Sequence, residues 1–348
     1  MKSLRVAGIV CASIALALIC SGSGPEDDTK LSPLVRCFAV PEKPAPPFAD
    51  GKFIPQKGET ISFIGGTNTF EQQKYSDLEL LLQLAYPDLE LKIRNLAWQG
   101  DTVYEQTRPV YYFTKKGDQQ PGSVPDGRER VEPGIVLVNF GKMESLDGPD
   151  SLPHFVNSYR SFLDQLQTRT HRIVLVGPTP FFPVGPAKSL TDVRNRTLAR
   201  FEGAIGALAG ERGFLYVDLF EPLLKSFVPA DSRDGIHLGE AGQSRVAVLI
   251  SESLGFPING AAAMKSTDRE PLIQSLRRKN FLWQQYYHPT NWAFLYGDRQ
   301  HVPAGRSHLD SRKRWFIKEV GQLPGLIKES ETDIHRYASE MSAEVKKN

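Results

Sequence analysis

Thr60-Ile61-Ser62-Phe63-Ile64, followed at once by Gly65-Gly66-Thr67-Asn68-Thr69, is the stretch that decides the fold. A short apolar run stopped by two glycines reads as a strand ending in a sharp turn, with the next hydroxyl presented at the sheet edge. An ordinary strand-to-helix turn, with Thr67 or Thr69 capping the helix, fits the same residues.

Working outward, the rhythm repeats. Further strand candidates are Leu91–Leu96, Ile135–Phe140, Arg172–Val176 and Phe214–Leu219. Between them, Phe155, Tyr159, Phe162, Leu163 and Leu166 form a helical stripe, as do Leu198, Phe201, Ile205 and Leu208. A last helix is expected from about Glu240, turning Ala241, Val248 and Leu249 inward. Strands alternating with helices imply an α/β fold. The expectation is a three-layer α/β/α sandwich around a parallel, flavodoxin-like sheet of about five strands. In such sheets, functional groups sit on loops at the carboxyl ends of the strands.

The flanks read differently. Lys2 and Arg5, an apolar run from Val6 to Cys20 and the small residues Ser21-Gly22-Ser23-Gly24 describe a secretory signal over residues 1–24. The expected location is therefore secreted or periplasmic, with no membrane span after cleavage. An uncleaved anchor is the alternative, although the run is short for a span. Cleavage would leave Cys37 alone of three cysteines, so no intramolecular disulfide is expected in the mature chain. Residues 25–58, with Pro41-Glu42-Lys43-Pro44-Ala45-Pro46-Pro47, read as a Pro-rich linker or an arm lying on a main domain at 59–257. Residues 104–133 form a long polar connection. Residues 258–348 read as an extension packing on the main domain through helices and an aromatic segment. That segment contains Trp283, Tyr286, Tyr287, Trp292, Phe294 and Tyr296.

Composition narrows the function. With 24% charged residues and a formal charge of +2, the chain lacks the concentrated basic face that nucleic acid requires. There is no G-x-S-x-G elbow, phosphate-binding loop, dinucleotide fingerprint or H-E-x-x-H pair. The seven histidines show no metal-ligand spacing, so neither a metal nor a cofactor is expected.

Four short segments remain. They are Phe63 to Thr69; Arg94-Asn95-Leu96-Ala97-Trp98-Gln99-Gly100-Asp101-Thr102-Val103; Asn139-Phe140-Gly141-Lys142-Met143-Glu144-Ser145; and Asp234-Gly235-Ile236-His237-Leu238. The middle two could each be a plain loop with a glycine at positive φ. In the last, an Asp three residues before a His can hold one imidazole tautomer, leaving the other ring nitrogen as a base. A satisfied structural histidine fits that segment as well.

Taken together, the segments resemble the SGNH/GDSL hydrolase family of esterases and acylhydrolases. Its members carry F-x-G-D-S-x-T after the first strand, a glycine after the second, G-x-N-D after the third and D-x-x-H before the last helix. Order and spacing agree from Ile61 to about Leu254. The spellings around Arg94–Val103 and Gly141–Ser145 look like a branch found in planctomycetes and related bacteria. Lys279-Asn280 and His288-Pro289-Thr290-Asn291 are similar to that branch too. The resemblance implies Thr67 as nucleophile, His237 as base and Asp234 as the acid that orients it. It also implies an oxyanion hole built from the N–H groups of Thr67 and Gly100. The family's third donor, an Asn side chain, falls on Met143.

Three positions depart from the family. Gly66 replaces an Asp that mainly shapes the turn, and Thr67 replaces Ser, its extra methyl restricting χ1. Met143 donates no hydrogen bond, and losing one oxyanion donor lowers kcat by about a hundred- to thousandfold. Asn139, Asn95 and Asn68 are candidates to supply the missing amide.

The expectation is an ester hydrolase of reduced efficiency, acting on a small-molecule or carbohydrate ester, with polysaccharide deacetylation as the substrate class the family suggests. A non-catalytic carbohydrate- or ligand-binding protein is the alternative. Acyl transfer to another hydroxyl would use the same residues in a drier cleft.

Overall fold

The computed structural model describes residues 30–106, 108, 130–186, 188–257, 266–295 and 299–345. The expected signal at 1–24, most of the connection at 104–133, the first residues of the extension and Tyr296 lie outside the described residues.

Five parallel strands, β1 (Thr60–Gly65), β2 (Lys92–Asn95), β3 (Ile135–Asn139), β4 (Ile173–Val176) and β5 (Leu215–Val217), form one sheet in the order β2-β1-β3-β4-β5. β3 and β4 are apolar on both alternations because helices cover both faces, and β1 is buried throughout although Thr60 and Ser62 are polar. Ile64, Val136, Val138, Ile173 and Leu175 enter one core, and Ile61, Phe63, Ile135, Leu137, Val174 and Val176 enter the other.

Between β1 and β2 the chain makes α1 (Thr67–Tyr75) and α2 (Asp77–Ala85). Next come α3 (Leu152–Gln167), α4 (Thr191–Arg212), α5 (Phe220–Ser226) and α6 (Glu240–Ser253). The stripes on α3 and α4 fill the first core, while α2, α5 and α6 pack into the second. The fold is thus the three-layer α/β/α sandwich expected.

The expected face of α6 needs correction. Ala241 and Val248 are exposed, Leu249 is half-buried, and Val246, Ala247 and Ile250 make the inward stripe. Apolar residues occupy several contiguous positions here, so periodicity alone does not set the rotation. Contact with the preceding loop does: Gly242 lies against Asp231 O, where any side chain would collide.

The segment before β1 goes deeper than a surface arm. Leu34, Val35 and Phe38 are fully buried beside α3, and isolated parallel bridges join Phe38 to Val131 and Ala45 to Thr170. Cys37 is buried there with a free thiol.

The extension forms α7 (Ser266–Tyr287), α8 (Trp292–Leu295), α9 (Ile317–Val320) and α10 (Leu323–Val345). Trp283 and Tyr287 enter the first core, while Leu272, Leu276, Ile334 and Ala338 cover Leu80 and Leu84 on the outer face of α2. A buried ion pair fastens this contact. Lys279 Nζ lies 2.6 Å from Glu79 Oε1, and Asn280 Nδ2 donates to Glu79 Oε2 at 2.9 Å.

The extension also reaches the sheet edge at β2. Trp283 Nε1 donates to Asn95 O at 2.8 Å, Lys279 Nζ donates to Ile93 O at 3.3 Å, and His335 Nε2 lies 3.0 Å from Leu91 O. Among the described residues no helix is long and apolar enough to cross a membrane.

Candidate active site

The sheet order reverses between β1 and β3, and the loops leaving those two strands diverge to leave a crevice. Gly66, Thr67 and Asn68 line it from the β1 side, Asn139 to Glu144 from the β3 side, and Ile236 and His237 close it. The space open to water is small, about 50 Å³. The strand-to-helix turn is tight enough that Gly65 cannot carry a side chain, since a Cβ would press on Asn139 O and Thr69 Oγ1. Gly66 abuts Asp101 O, leaving little room there for the aspartate of the family pattern.

Thr67 is the first residue of α1. Its N–H belongs to the helical turn that has no intrahelical acceptors and carries the positive end of the dipole.

The segment from Ser232 to Leu238 holds the acidic and imidazole groups. Asp234 Oδ2 lies 2.7 Å from His237 Nδ1, while Asp234 Oδ1 accepts from the N–H groups of Ile236 at 2.9 Å and His237 at 2.8 Å. An ionised carboxylate only accepts, so Nδ1 carries the proton and Nε2 is the basic nitrogen. Burial raises the Asp234 pKa, but the hydrogen bonds from the His237 ring and the two backbone N–H groups outweigh it, holding the carboxyl down at about 2. Ser232 Oγ donates to His237 O at 2.8 Å and accepts from Gly235 N at 2.9 Å, fixing the turn.

Thr67 and His237 therefore line one cleft, yet no hydrogen bond joins Thr67 Oγ1 to the imidazole. Met143 also lines the cleft and is 47% exposed.

The three asparagines considered as replacements for the missing amide are engaged elsewhere. Asn139 Nδ2 donates to Val176 O and Gly177 O, both at 2.9 Å. Asn95 Nδ2 donates to Thr69 O at 2.7 Å, and Asn68 Nδ2 to Ile236 O at 3.3 Å. Gly100 lies in an exposed turn at φ 85°, and it is its neighbour Asp101 that lines the cleft.

Three further features escaped the sequence reading. Lys142, quoted only as part of a loop, sends its amine to Thr179 Oγ1, Pro180 O and Ile236 O. Glu144 Oε1 accepts from Val103 N at 2.7 Å and Oε2 from Gly141 N at 2.8 Å, locking the β3 loop to the β2 loop. Burial pushes the Glu144 carboxyl up, against the pull of these N–H groups. Asp101 is gripped by Arg108 at 3.0 and 2.8 Å, and Arg108 Nε donates to Tyr287 Oη at 3.2 Å, so the extension supports the cleft rim. A glutamate and a lysine flanking Met143 at the end of a strand were the only available signal. The Asp101–Arg108 pair joins the β2 loop to a residue inside the long polar connection and carried none. Among the described residues no cluster of His, Cys, Asp and Glu is placed to hold a metal ion.

Among solved structures, the chain is similar to Axe2, an acetylxylan esterase from Geobacillus stearothermophilus. The identity is 22% over 59% of this chain and 97% of that one, with a TM-score of 0.44. It is also similar to BT4096, a gut microbial diltiazem-metabolizing enzyme, at 20% identity over 59% of this chain and 49% of that one, with a TM-score of 0.40. No curated protein matches the sequence. Residues 62–245, which run from β1 into α6 and contain every segment of the cleft, match the GDSL-like lipase/acylhydrolase family, and the chain belongs to that family.

Proposed function

We propose that the protein hydrolyses a small acyl ester, with Thr67 as nucleophile, His237 as general base and Asp234 as the group that orients it. The observation that carries this reading is the Asp234–His237 pair at 2.7 Å in the same cleft as Thr67. In the first step, His237 Nε2 takes the Thr67 hydroxyl proton while Oγ1 attacks the ester carbonyl carbon. The tetrahedral oxyanion is met by the N–H of Thr67 at the start of α1; a second backbone donor would have to come from the turn at Gly100, whose neighbour Asp101 lines the cleft. Collapse expels the alcohol, which takes the proton from His237. Water, activated by the same nitrogen, then releases the acid and restores the threonine.

The space in the cleft is small, about 50 Å³, which accords with a short acyl group such as acetyl. Deacetylation of a carbohydrate, outside the cell after signal cleavage, is the substrate class and location that fit best. Met143 in place of an amide donor makes turnover slower than in a complete site by about a hundred- to thousandfold.

Two observations favour a second reading, a binding protein without turnover: the absent Thr67–His237 hydrogen bond and Met143. Catalytic hydrogen bonds often form only once substrate is bound, so geometry without substrate leaves the first reading standing. Hydrolysis of an activated acetyl ester by the mature protein, beside Thr67→Ala and His237→Ala, separates them. Turnover lost in both variants supports the threonine esterase; turnover absent throughout, or unchanged by either substitution, supports the binding protein.

A further inference from the structure

Lys142 is a charged group of the cleft that this chemistry leaves unused. Its Nζ donates to Thr179 Oγ1 at 3.1 Å, to Pro180 O at 2.9 Å and to Ile236 O at 2.7 Å. An ammonium has three protons, and here each has one acceptor. Those acceptors belong to two other loops, the one leaving β4 and the one carrying His237. The amine also lies 5.0 and 5.4 Å from the ring centroids of Phe181 and Phe182, whose faces attract a cation.

The side chain is half-buried with its amine turned toward these loops, and burial pushes its pKa down to about 7 against the pull of the Asp234 carboxylate. The other charged groups around it are already committed. Glu144 holds two backbone N–H groups, Asp101 is paired with Arg108, and Arg194 lies across the Phe181 ring. Asp234 and His237 hold each other. The β4 loop itself, Gly177 to Phe182, brings no titratable side chain.

We propose that Lys142, in its charged form, is a positioning residue that ties the His237 loop to the loops leaving β3 and β4, and that loss of its third proton loosens the tie and slows turnover. A neutral amine keeps only two N–H groups and gives up the charge that strengthens them; if the bond to Ile236 O is the one lost, that carbonyl keeps only the longer contact with Asn68 Nδ2 at 3.3 Å. Ile236 directly precedes His237, so a shift of its carbonyl moves the imidazole. The kinetic part of the proposal rests on the esterase reading; the tie does not.

The test combines kcat–pH profiles with hydrogen exchange at the amides of 232–238 for the wild type, Lys142→Met and Lys142→Arg. Wild-type kcat should fall on the alkaline side with a midpoint near neutrality. Lys142→Met should lower kcat about ten- to hundredfold, the scale of a misplaced catalytic group, lose that alkaline fall and exchange faster at 232–238. Lys142→Arg, whose guanidinium stays charged, should lose the alkaline fall while keeping more activity than Lys142→Met. Lys142→Met strands no salt-bridged carboxylate, and protection of the sheet amides in the same experiment reports folding. An identical alkaline fall in all three proteins, or Lys142→Met with wild-type kcat and exchange, overturns the proposal. If the wild type turns over no ester, the esterase reading fails by itself. Exchange then decides the tie: faster exchange at 232–238 in Lys142→Met upholds it and unchanged exchange removes it.

Discussion

Asn68 Oδ1 accepts a hydrogen bond from the backbone N–H of Leu238 at 3.0 Å, so the residue after Thr67 grips the residue after His237. The same amide donates to Ile236 O at 3.3 Å, and Asn68 O accepts from Gln243 Nε2 at 2.9 Å. One side chain thus spans both neighbours of the imidazole and sets the position of α1 against the base. Asn68→Ala should cost about 1–3 kcal/mol in urea denaturation, because the Leu238 N–H and Ile236 O each lose a partner. It should lower ester turnover by a larger factor than that loss of stability implies. Turnover unchanged in a destabilised variant would show that the grip serves folding alone.

Met143→Asn should raise kcat, by about tenfold or more, by returning an amide donor to the oxyanion position. The site is 47% exposed, so the change leaves no hole in the core. Steady-state kinetics on an activated acetyl ester would measure it, and a lower kcat would place the oxyanion away from residue 143.

Thr67→Ser removes the methyl that stiffens χ1 and keeps the hydroxyl. The expected result is a several-fold rise in kcat. A sharp loss instead would mean that the methyl holds Oγ1 in its working rotamer.

Acid stability offers a check that needs no substrate. The folded Asp234 pKa of about 2 lies below that of an unfolded aspartate, about 3.9. A depressed acid contributes stability that is present above the unfolded value and is lost as pH falls from about 4 to about 2. Denaturation midpoints should therefore fall more steeply over that window in the wild type than in Asp234→Asn. Parallel curves would mean that the carboxylate is not held by the His237 loop.

Lys279→Met should destabilise the protein by about 3–5 kcal/mol, since it strands the Glu79 charge in a buried site. Adding Glu79→Leu should restore most of that loss. A single variant as stable as the wild type in urea would place the pair in solvent.

The readable part of this chain follows from burial. Ile135, Val136, Leu137 and Val138 are apolar on both alternations because helices cover both faces, and that pattern survives in one dimension. The Asp234–His237 pairing was legible for a similar reason, because three residues of chain suffice to make the contact. What stayed hidden depends on contacts between distant segments. Lys142 reads as an ordinary loop lysine until Thr179 and Ile236 are brought beside it. The face of α6 is set by Asp231 rather than by its own periodicity. Leu34 and Phe38 sit in a Pro- and Lys-rich stretch whose polarity masks their burial.

The side chains laid along β2 have a consequence for the molecule among its own copies. Leu91, Ile93 and Asn95 turn alternate carbonyls outward, a row on which another strand could dock. Trp283, Lys279 and His335 occupy that row with side chains, which cannot propagate a ladder. A chain ending after Phe256 would keep every group proposed for chemistry and lose this cover. It would then present a bare sheet edge beside the uncovered leucines of α2, and its fate in concentrated solution would be self-association rather than catalysis.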